Sequence, residues 1–293
     1  MKLRLKKILQ DKIIGENTVV GWIRSVRKTK KFSFIILNDG STSNSLQVIA
    51  DSDLENYDEV SSMLAGTSVE ISGVLVESQG KGQDVEMQAN AINIIGTTDE
   101  NYPLQKKATS LEFLRSNAHL RSRTSTFGAV FRLRHAMAFA THQFFNERSF
   151  FYVNTPIITG IDAEGAGEMF SVTSFDLASN NLKDLNFKDD YFGKSTNLAV
   201  TGQLEAECLA LGLGSVYTFG PTFRSENSNT PRHLSEFWMI EPEVAFADLD
   251  DIIDLAADYI KYLINYALVN SQEDLKTLLK FNECEEHLEV LAR

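Results

Sequence analysis

Five short segments in which apolar and polar residues alternate occupy the chain between Thr18 and about Ile95. Glycine, asparagine, aspartate and serine residues separate them, and they read TVVGWIRSVR, FSFIILND, SLQVIA, SVEISGVLVES and VEMQANAINII. Alternation with a period of two is typical of β-strands that bury one face. Five such strands within about eighty residues predict a small closed barrel, either one that binds oligonucleotides or a generic small barrel.

Basic residues are concentrated at the start of the chain. Between Met1 and Phe34 there are ten lysines and arginines but only Asp11 and Glu16 as acids, a balance of +8, so a chain of net charge −12 carries −20 elsewhere. This asymmetry favours a basic barrel that meets a polyanion, joined to an acidic body with another role. A solvated basic face would give the same composition.

Three side chains on the predicted second and third strands could read a nucleic-acid base. Phe32 and Phe34 could stack on it, and the amide of Gln47 could form hydrogen bonds with its edge. A core position for one of the two phenylalanines fits the pattern equally well.

Other classes of protein find little support. Cys208 and Cys284 have no cysteine nearby, which favours neither a disulfide framework nor a zinc site. No apolar run approaches the roughly 20 residues that cross a bilayer. The lysine-rich start lacks the apolar core of a signal peptide, so we expect a cytoplasmic protein.

The barrel is expected to end near Tyr102, because residues 97–123 are largely polar and contain Pro103. We predict a barrel domain over 1–101, a linker over 102–124 and a second domain over 125–293.

The second domain is predicted to be an antiparallel sheet flanked by helices, which makes the fold class α+β. A helix capped by Thr126 is expected to lead into an extended segment with Pro156 at an edge or strand end. Two strands joined by the loop NSNTPRHL follow, and then a helix that begins at Leu249 behind Asp248. The apolar stripe of the first helix consists of Val130, Leu133, Met137, Ala140 and Phe144.

The two later strands carry an unusual set of side chains. Residues two apart on a strand share a face, so a hairpin would bring together Arg224, Glu226, Phe237, Glu241 and Glu243, with Arg232 and His233 on its loop. An arginine for a phosphate, a ring for a purine and a carboxylate for an exocyclic amine suit a nucleotide. A salt-bridged network without a ligand is the alternative.

The segment FRSENSNTPRHLSEFWMIEPEVAF resembles motif 2 of the class II aminoacyl-tRNA synthetases, in the form found in the aspartyl, asparaginyl and lysyl subgroup. The upstream helix and strand resemble motif 1, which forms the homodimer seam in that family, and the barrel resembles its anticodon-binding domain. The resemblance implies a ligase that uses ATP and Mg²⁺ to charge a tRNA.

The resemblance also implies roles for individual residues. Arg224 would hold the α-phosphate and the amino acid's carboxyl group, which makes it the candidate catalytic residue. Glu226 would accept from the adenine amino group, Phe237 would stack on the purine, and Arg232 and His233 would reach the distal phosphates.

For the amino acid, the family pattern places Gln203 of TGQLEAE and Glu164 of DAEGAGE at the α-ammonium group. Gly165 and Gly167 would let the second of these loops move. In the barrel, Phe34 and Gln47 occupy the positions that read the central anticodon base.

Two positions favour asparagine over aspartate. Aspartyl enzymes of the subgroup carry a lysine where this chain has Ala206, and an aspartate where it has Glu241. A carboxylate can accept a hydrogen bond from an amide and repels another carboxylate. The resemblance therefore implies asparagine, ATP and tRNA(Asn) as substrates.

The family's motif 3, which supplies a second ATP-clamping arginine and most magnesium ligands, has no counterpart in these 293 residues. We therefore expect a fragment of a longer protein that is inactive alone and contributes Glu243 to the metal site. Alternatives are an aspartyl-tRNA synthetase, including one that charges both tRNAs, an ammonia-dependent asparagine synthetase, which lacks the barrel, and a non-catalytic tRNA-binding paralogue.

Overall fold

The computed structural model describes residues 2–80, 82–105, 109–163, 165, 167–178, 186–230, 232–284, 286, 287 and 290. The chain divides into two compact units. Unit 1 comprises Met1–Met137 with Ile264–Arg293, and unit 2 comprises Ala138–Leu263. The bounds expected from the sequence, 1–101, 102–124 and 125–293, follow a different criterion and stay a prediction.

A closed five-stranded barrel forms the first part of unit 1, and it confirms the predicted barrel. The strands follow one another around it in the order β1, β2, β3, β5, β4. Their bounds are β1 Gly15–Lys28, β2 Phe32–Asn38, β3 Leu46–Asp51, β4 Ser68–Glu77 and β5 Val85–Gly96, and two short helices accompany them, α1 Leu5–Gln10 and α2 Tyr57–Ser61.

Alternation along the strands fills the barrel interior. On β2, Ser33, Ile35 and Leu37 are fully buried, while Phe32 and Phe34, which alternate with them, are only partly buried. The inward residues therefore share one apolar core, because closure removes one face of every strand from water.

Unit 1 also contains helical segments. It contains α3 Leu111–Ser116, a 3₁₀ turn at Arg121–Arg123, the start of α4 Ser125–Glu147 and α7 Gln272–Phe281. The expectation that Thr126 caps α4 is wrong, because the hydroxyl of Thr124 accepts a hydrogen bond from the backbone N–H of Phe127 at 3.3 Å. Thr124 has the extended backbone of a cap, whereas Thr126 lies inside the helix.

Unit 2 contains two three-stranded sheets. The first has the order β11, β10, β6, and the second has the order β7, β9, β8. Strands β10 and β11 form the predicted antiparallel hairpin, whereas β6 pairs with β10 in parallel. The bounds are β6 Phe151–Tyr152, β7 Ile158–Thr159, β8 Ser171–Val172, β9 Thr196–Leu198, β10 Ser215–Phe223 and β11 Glu236–Val244.

Other elements are a 3₁₀ turn at Phe187–Asp189 and helices α5 Gln203–Leu213 and α6 Leu249–Asn270, the last of which continues into unit 1. Asp248 precedes α6, and its carboxylate accepts from the Asp251 backbone N–H at 3.1 Å while Asp251 returns the contact at 3.0 Å. This reciprocal cap agrees with the acidic start expected for the helix. Across the described residues, the helices are too short or too polar to span a bilayer.

An aromatic cluster forms the core beneath the hairpin. Phe144 and Phe145 of α4 are buried, and the ring of Phe145 stacks on Tyr217 of β10 with 4.4 Å between centroids. Tyr259 of α6 packs 5.1 Å from Phe144. These contacts hold the hairpin firmly from one side, so its other face is presented in a fixed geometry.

Candidate active site

Strands β10 and β11 bring Arg224 and Phe237 together. Thr222 is in register with Phe237. Arg224 directly follows β10 and extends the ladder by one residue, because its backbone N–H donates to the Ser235 carbonyl at 3.0 Å. The central carbon of its guanidinium group lies 5.4 Å from the centroid of the Phe237 ring. The cation and the flat ring predicted from the sequence therefore face one space.

The glycine-rich loop before β8 closes over this pair. The Glu168 backbone N–H donates to Glu226 Oε1 at 3.2 Å, and the Ser225 N–H donates to the Glu168 carbonyl at 2.8 Å. A Cβ atom on Gly167 would lie 2.8 Å from Glu226 Oε1 and 3.3 Å from Arg224 Cδ. The loop approaches so closely because position 167 has no side chain.

Three polar atoms at this place are buried without a partner. Within the described part of the chain, Arg224 Nε, Glu226 Oε2 and His233 Nε2 have no hydrogen-bond partner. A buried polar atom left unpaired costs about 1–3 kcal/mol, so such atoms are rare unless a ligand or water satisfies them. All three belong to residues that the sequence assigns to ATP.

Carboxylates continue along β11 from this point. Glu241 accepts hydrogen bonds from the Thr201 hydroxyl and from the Gly202 backbone N–H, the latter at 3.2 Å. Burial first, and then the charges of Glu207 and Glu241, raise the pKa of Glu243 to about 7. The charges of Glu207 and Glu241 disfavour the ionised form of Glu243, so a positive charge beside Glu243 would favour its ionisation.

The structure describes most, but not all, of the other residues predicted for the asparagine and phosphate sites. Gln203 is the first residue of α5, and its Nε2 donates to Glu207 Oε1 at 2.8 Å. Ala206, one turn along α5, is fully buried. Arg232 is exposed on the loop between the hairpin strands. Glu164 lies outside the described residues.

A second group of candidate residues lies on the outer face of the barrel. Phe32 and Phe34 are both outside the core, and their rings meet edge to face at 5.0 Å. The guanidinium carbon of Arg27 lies 4.6 Å from the centroid of Phe34. Gln47 also points outward and donates to Glu86 at 3.1 Å. An aromatic surface beside a cation and an oriented amide can hold an unstacked base.

Comparison with known proteins assigns the chain to a family. The model of tRNA synthetases class II (D, K and N) matches residues 110–290, and the model of the OB-fold nucleic acid binding domain matches residues 18–95. The chain belongs to the class II tRNA synthetases.

Curated relatives of this class II synthetase chain are asparagine–tRNA ligases. That of Parabacteroides distasonis is 52% identical over 282 residues, which cover 94% of this chain and 60% of the relative. That of Protochlamydia amoebophila is 56% identical over 270 residues, which cover 90% of this chain and 58% of the relative. The class II chain thus spans about 60% of the length of the curated relatives it matches.

The fold is shared with solved class II synthetases. The crystal structure of asparaginyl-tRNA synthetase from Pyrococcus horikoshii complexed with asparaginyl-adenylate has a TM-score of 0.80 at 22% identity, covering 94% of this chain and 60% of that one. A structure of a putative aspartyl-tRNA synthetase from Leishmania major Friedlin has a TM-score of 0.76 at 20% identity, covering 96% and 54%. Both likenesses show the α+β architecture.

Several residues of this class II site were missed by sequence reasoning. Thr201 and Gly202 anchor Glu241, Glu207 binds Gln203, and Glu168 holds Glu226. These contacts join residues up to 58 positions apart. A single sequence carries no signal for such pairs, although Glu207 could have been suggested because it lies one helical turn after Gln203.

A magnesium ion, which the class II family implies, was tested against the donor atoms. No group of three or more histidine, cysteine, aspartate or glutamate side chains is placed to hold a metal ion among the residues that the structure describes. The carboxyl group of Glu243, which lies near Glu207 and Glu241, is of the ligand type that Mg²⁺ prefers. Its part in a magnesium site stays a prediction.

Proposed function

We propose that the chain is the anticodon-binding and ATP-binding part of an asparagine–tRNA ligase. Such an enzyme activates asparagine with ATP and transfers it to tRNA(Asn). One observation carries the proposal: Arg224 Nε, Glu226 Oε2 and His233 Nε2, all in the segment that joins β10 to β11, are buried and have no hydrogen-bond partner among the described residues. A donor, an acceptor and an imidazole nitrogen in one segment can be satisfied by the groups of a nucleotide.

Arg224 is the group that acts on the reacting atoms. In activation, a carboxylate oxygen of asparagine attacks the α-phosphorus of ATP, and pyrophosphate leaves with the electrons of the broken P–O bond. Negative charge accumulates on the α-phosphate oxygens as this happens. A guanidinium fixed by the strand ladder and the Phe237 ring stabilises that charge without having to reorganise.

The neighbouring residues hold the nucleotide in place. The free oxygen of Glu226 accepts from the adenine amino group, and its other oxygen stays on the Glu168 N–H. Phe237 stacks on the purine, while His233 and the exposed Arg232 reach the distal phosphates. This division positions the α-phosphate for in-line attack.

Asparagine binds beside the start of α5. Gln203 and Glu164 contact the α-ammonium group, and Glu241 accepts from the side-chain amide. Glu241 is already held by Thr201 and Gly202, so its position is set before the substrate arrives. Aspartate would bring a second negative charge to this place, and the buried Ala206 supplies no cation to balance it.

Magnesium supplies charge neutralisation at the phosphates when it is bound. Glu243 is the residue of this chain that would help to hold it. Deprotonation of Glu243 near neutral pH, against its raised pKa, is favoured by a nearby cation.

The barrel recognises the anticodon. The outward Phe34 stacks on the central base, and Gln47, oriented by Glu86, reads its edge. The polyanionic tRNA explains why basic residues are concentrated between Met1 and Phe34. Since charged tRNA serves translation, the proposal places the protein in the cytoplasm.

A homodimer through the motif 1 region is part of the proposal. Phe139 of α4 is 57% exposed and Phe151 of β6 is 55% exposed, both in unit 2. Large apolar side chains exposed in the same short stretch of chain favour coverage by a second copy. Sedimentation equilibrium of the full encoded polypeptide should give twice the chain mass, and a Phe151→Glu variant should give the single mass.

The ligase assignment is tested by amino-acid-dependent exchange of pyrophosphate into ATP, measured on the full encoded polypeptide. Asparagine should support exchange, and aspartate should support it at least about a thousandfold less well. Equal support by aspartate would contradict the specificity argument built on Glu241 and Ala206. No exchange with either amino acid would leave a tRNA-binding paralogue as the better assignment.

A further inference from the structure

A cavity of about 990 Å³ lies within unit 1, and none of its lining residues belongs to the hairpin or to the carboxylates described above. Its wall is formed by the edge of the barrel, by residues after Tyr102 and by the start of α4. This volume is in the range of small-ligand sites. Arginines dominate its charged lining, which contains Arg4, Arg24, Arg123, Arg132 and the single carboxylate Asp39.

Two of these arginines are neutralised inside the unit. Arg4 pairs with Asp39 at 3.1 Å, and Arg132 pairs with Asp274 at 2.8 Å. Arg132 also donates to the Gly40 carbonyl at 2.8 Å. These two side chains therefore build the wall and offer little free charge.

Arg24 and Arg123 remain without a carboxylate. Arg24 donates to the Arg123 carbonyl and, at 3.5 Å, to the side-chain oxygen of Asn38. Arg123 donates to the Tyr102 hydroxyl at 3.2 Å. Neither arginine forms an ion pair in the part of the chain that the structure describes. Burial lowers the pKa of Arg24, although Tyr102 opposes this, and the charges of Arg132 and Arg123 lower it further.

Aromatic side chains stand beside the two free cations. The guanidinium carbon of Arg123 lies 5.0 Å from the centroid of Trp22. The ring of Tyr102 packs closely against Gly66, because a Cβ atom added to Gly66 would lie 2.6 Å from the Tyr102 ring. Among the described residues, neither cation is paired with a carboxylate, although Asp39, which pairs with Arg4, lines the same cavity. Placing two like charges together costs free energy unless an anion joins them.

We propose that this cavity binds a phosphate group between Arg24 and Arg123, with Trp22 and Tyr102 lining the space for the attached nucleoside. Guanidinium groups bind phosphate oxygens through paired hydrogen bonds, and aromatic rings accept a nucleoside's flat or apolar parts. The phosphate could belong to a free nucleotide or to an RNA backbone, since both present the same oxygens. The site is independent of ATP binding at the hairpin and of the ligase assignment.

Trp22 provides a direct measurement. The chain contains two tryptophans, Trp22 and Trp238, so a Trp238→Phe variant leaves Trp22 as the sole indole reporter. Its fluorescence is titrated with AMP and, separately, with a short blunt RNA duplex that offers no unpaired bases to the barrel face. A saturable change with either ligand is expected.

Charge-removing variants then locate the phosphate. In the Trp238→Phe background, Arg24→Gln and Arg123→Gln should each weaken binding by about tenfold or more, as expected for loss of a charge-assisted hydrogen bond. Arg134→Gln, which removes an exposed arginine of α4, should change affinity less than about twofold. Circular dichroism checks that each variant is folded, and Arg123→Gln alone carries the test if Arg24→Gln unfolds.

The outcomes show whether the phosphate belongs to a free nucleotide or to an RNA backbone. Saturation by AMP with loss in the arginine variants assigns a free nucleotide, and a response to the duplex alone assigns an RNA phosphate. No fluorescence change with either ligand would overturn the proposal. The same would follow if the Arg24 and Arg123 variants bound like the Arg134 control.

Discussion

The barrel face and the hairpin face both carry polar side chains beside an aromatic ring, but they satisfy those side chains differently. On the barrel, Gln47 donates to Glu86, and the same carboxylate oxygen accepts from Ser78 at 2.8 Å. On the hairpin, Arg224 Nε and Glu226 Oε2 are buried without partners. Among the described residues, the Gln47 amide of the barrel face has a hydrogen-bond partner, whereas Arg224 Nε and Glu226 Oε2 have none.

The two faces differ in which contacts hold their side chains in position. The hydrogen bond to Glu86 holds the Gln47 amide in place, which under the proposed role lowers the free-energy cost of ordering it when RNA binds. The hairpin is held instead by contacts on its buried face, where the ring of Phe145 stacks on Tyr217. Among the described residues, Arg224 Nε and Glu226 Oε2 on its other side keep unused hydrogen-bonding capacity. Under the proposed function, the free energy of satisfying these atoms contributes to binding ATP and its transition state.

The largest expected effect comes from Arg224→Ala. Loss of the guanidinium should lower asparaginyl-adenylate formation by about a thousandfold or more, because charge at the α-phosphate is no longer stabilised. Pyrophosphate exchange measures this, and a tRNA-binding assay should show affinity within about twofold of the parent. Lys261→Ala removes an exposed cation of α6 and serves as the control. Pyrophosphate exchange at the parent level in the Arg224→Ala variant would contradict the assignment of activation to the hairpin face.

Phe34→Ala should give the opposite pattern. Loss of one stacked base should raise KM for tRNA in the charging reaction by about ten- to a hundredfold, since such stacking contributes roughly 1–3 kcal/mol. Exchange of pyrophosphate should stay at the parent level. Because Phe34 lies outside the barrel core, the melting temperature should change little. Loss of both activities would mean that the barrel face supports the fold and is not a separate reading surface.

Gly167→Ala tests the loop that closes the hairpin face. The added Cβ atom meets Glu226 Oε1 at 2.8 Å, and this flexible carboxylate must move away. We expect KM for ATP to rise about tenfold while the free energy of unfolding is unchanged, because one hydrogen bond to the nucleotide is lost. Gly212→Ala is the matched control, since a Cβ atom there meets nothing within 4 Å. Equal effects of the two substitutions would argue against contact between the loop and the site.

The smallest effect concerns the pH dependence of stability. The folded pKa of Glu243 is raised to about 7 by burial and by Glu207 and Glu241, above its usual value of 4.5. Between these values the folded chain binds more protons than the unfolded chain, so stability should fall as pH rises from about 4.5 to 7. Urea unfolding without magnesium at both ends of this range measures the change. Glu243→Gln should flatten it, and an unaltered slope in that variant would assign the effect to other groups.

Much of the architecture could be predicted because it depends on local periodicity. The alternation of FSFIILND predicted strand β2 but left open whether Phe32 or Phe34 lies in the core, and the structure places both outside it. The polar loop predicted the hairpin of β10 and β11, whereas the pairing of Thr222 with Phe237 is seen only in the structure. Failures occurred where neighbouring candidates compete or where contacts are distant. Both Thr124 and Thr126 suit a cap by type, and only the backbone geometry selects Thr124.

The sequence predicted which residues form the candidate site, but it did not predict most of the contacts between them. The sequence identified Arg224, Glu226 and His233, and their unpaired atoms are seen only in three dimensions. The loop at Gly167 and Glu168 reaches Glu226 across nearly sixty residues, for which periodicity carries no information. The cavity at Arg24 and Arg123 was hidden for the same reason, since its wall joins the barrel to a segment that reads as a polar linker.

The most direct test of the account is a crystal structure of the full encoded polypeptide with a non-hydrolysable analogue of asparaginyl-adenylate. The account predicts hydrogen bonds from Arg224 to the phosphate-like group and from the adenine amine to Glu226, with the purine on Phe237 and the amide of the asparaginyl part at Glu241. An analogue bound elsewhere, with Arg224 Nε and Glu226 Oε2 still unpaired, would contradict it.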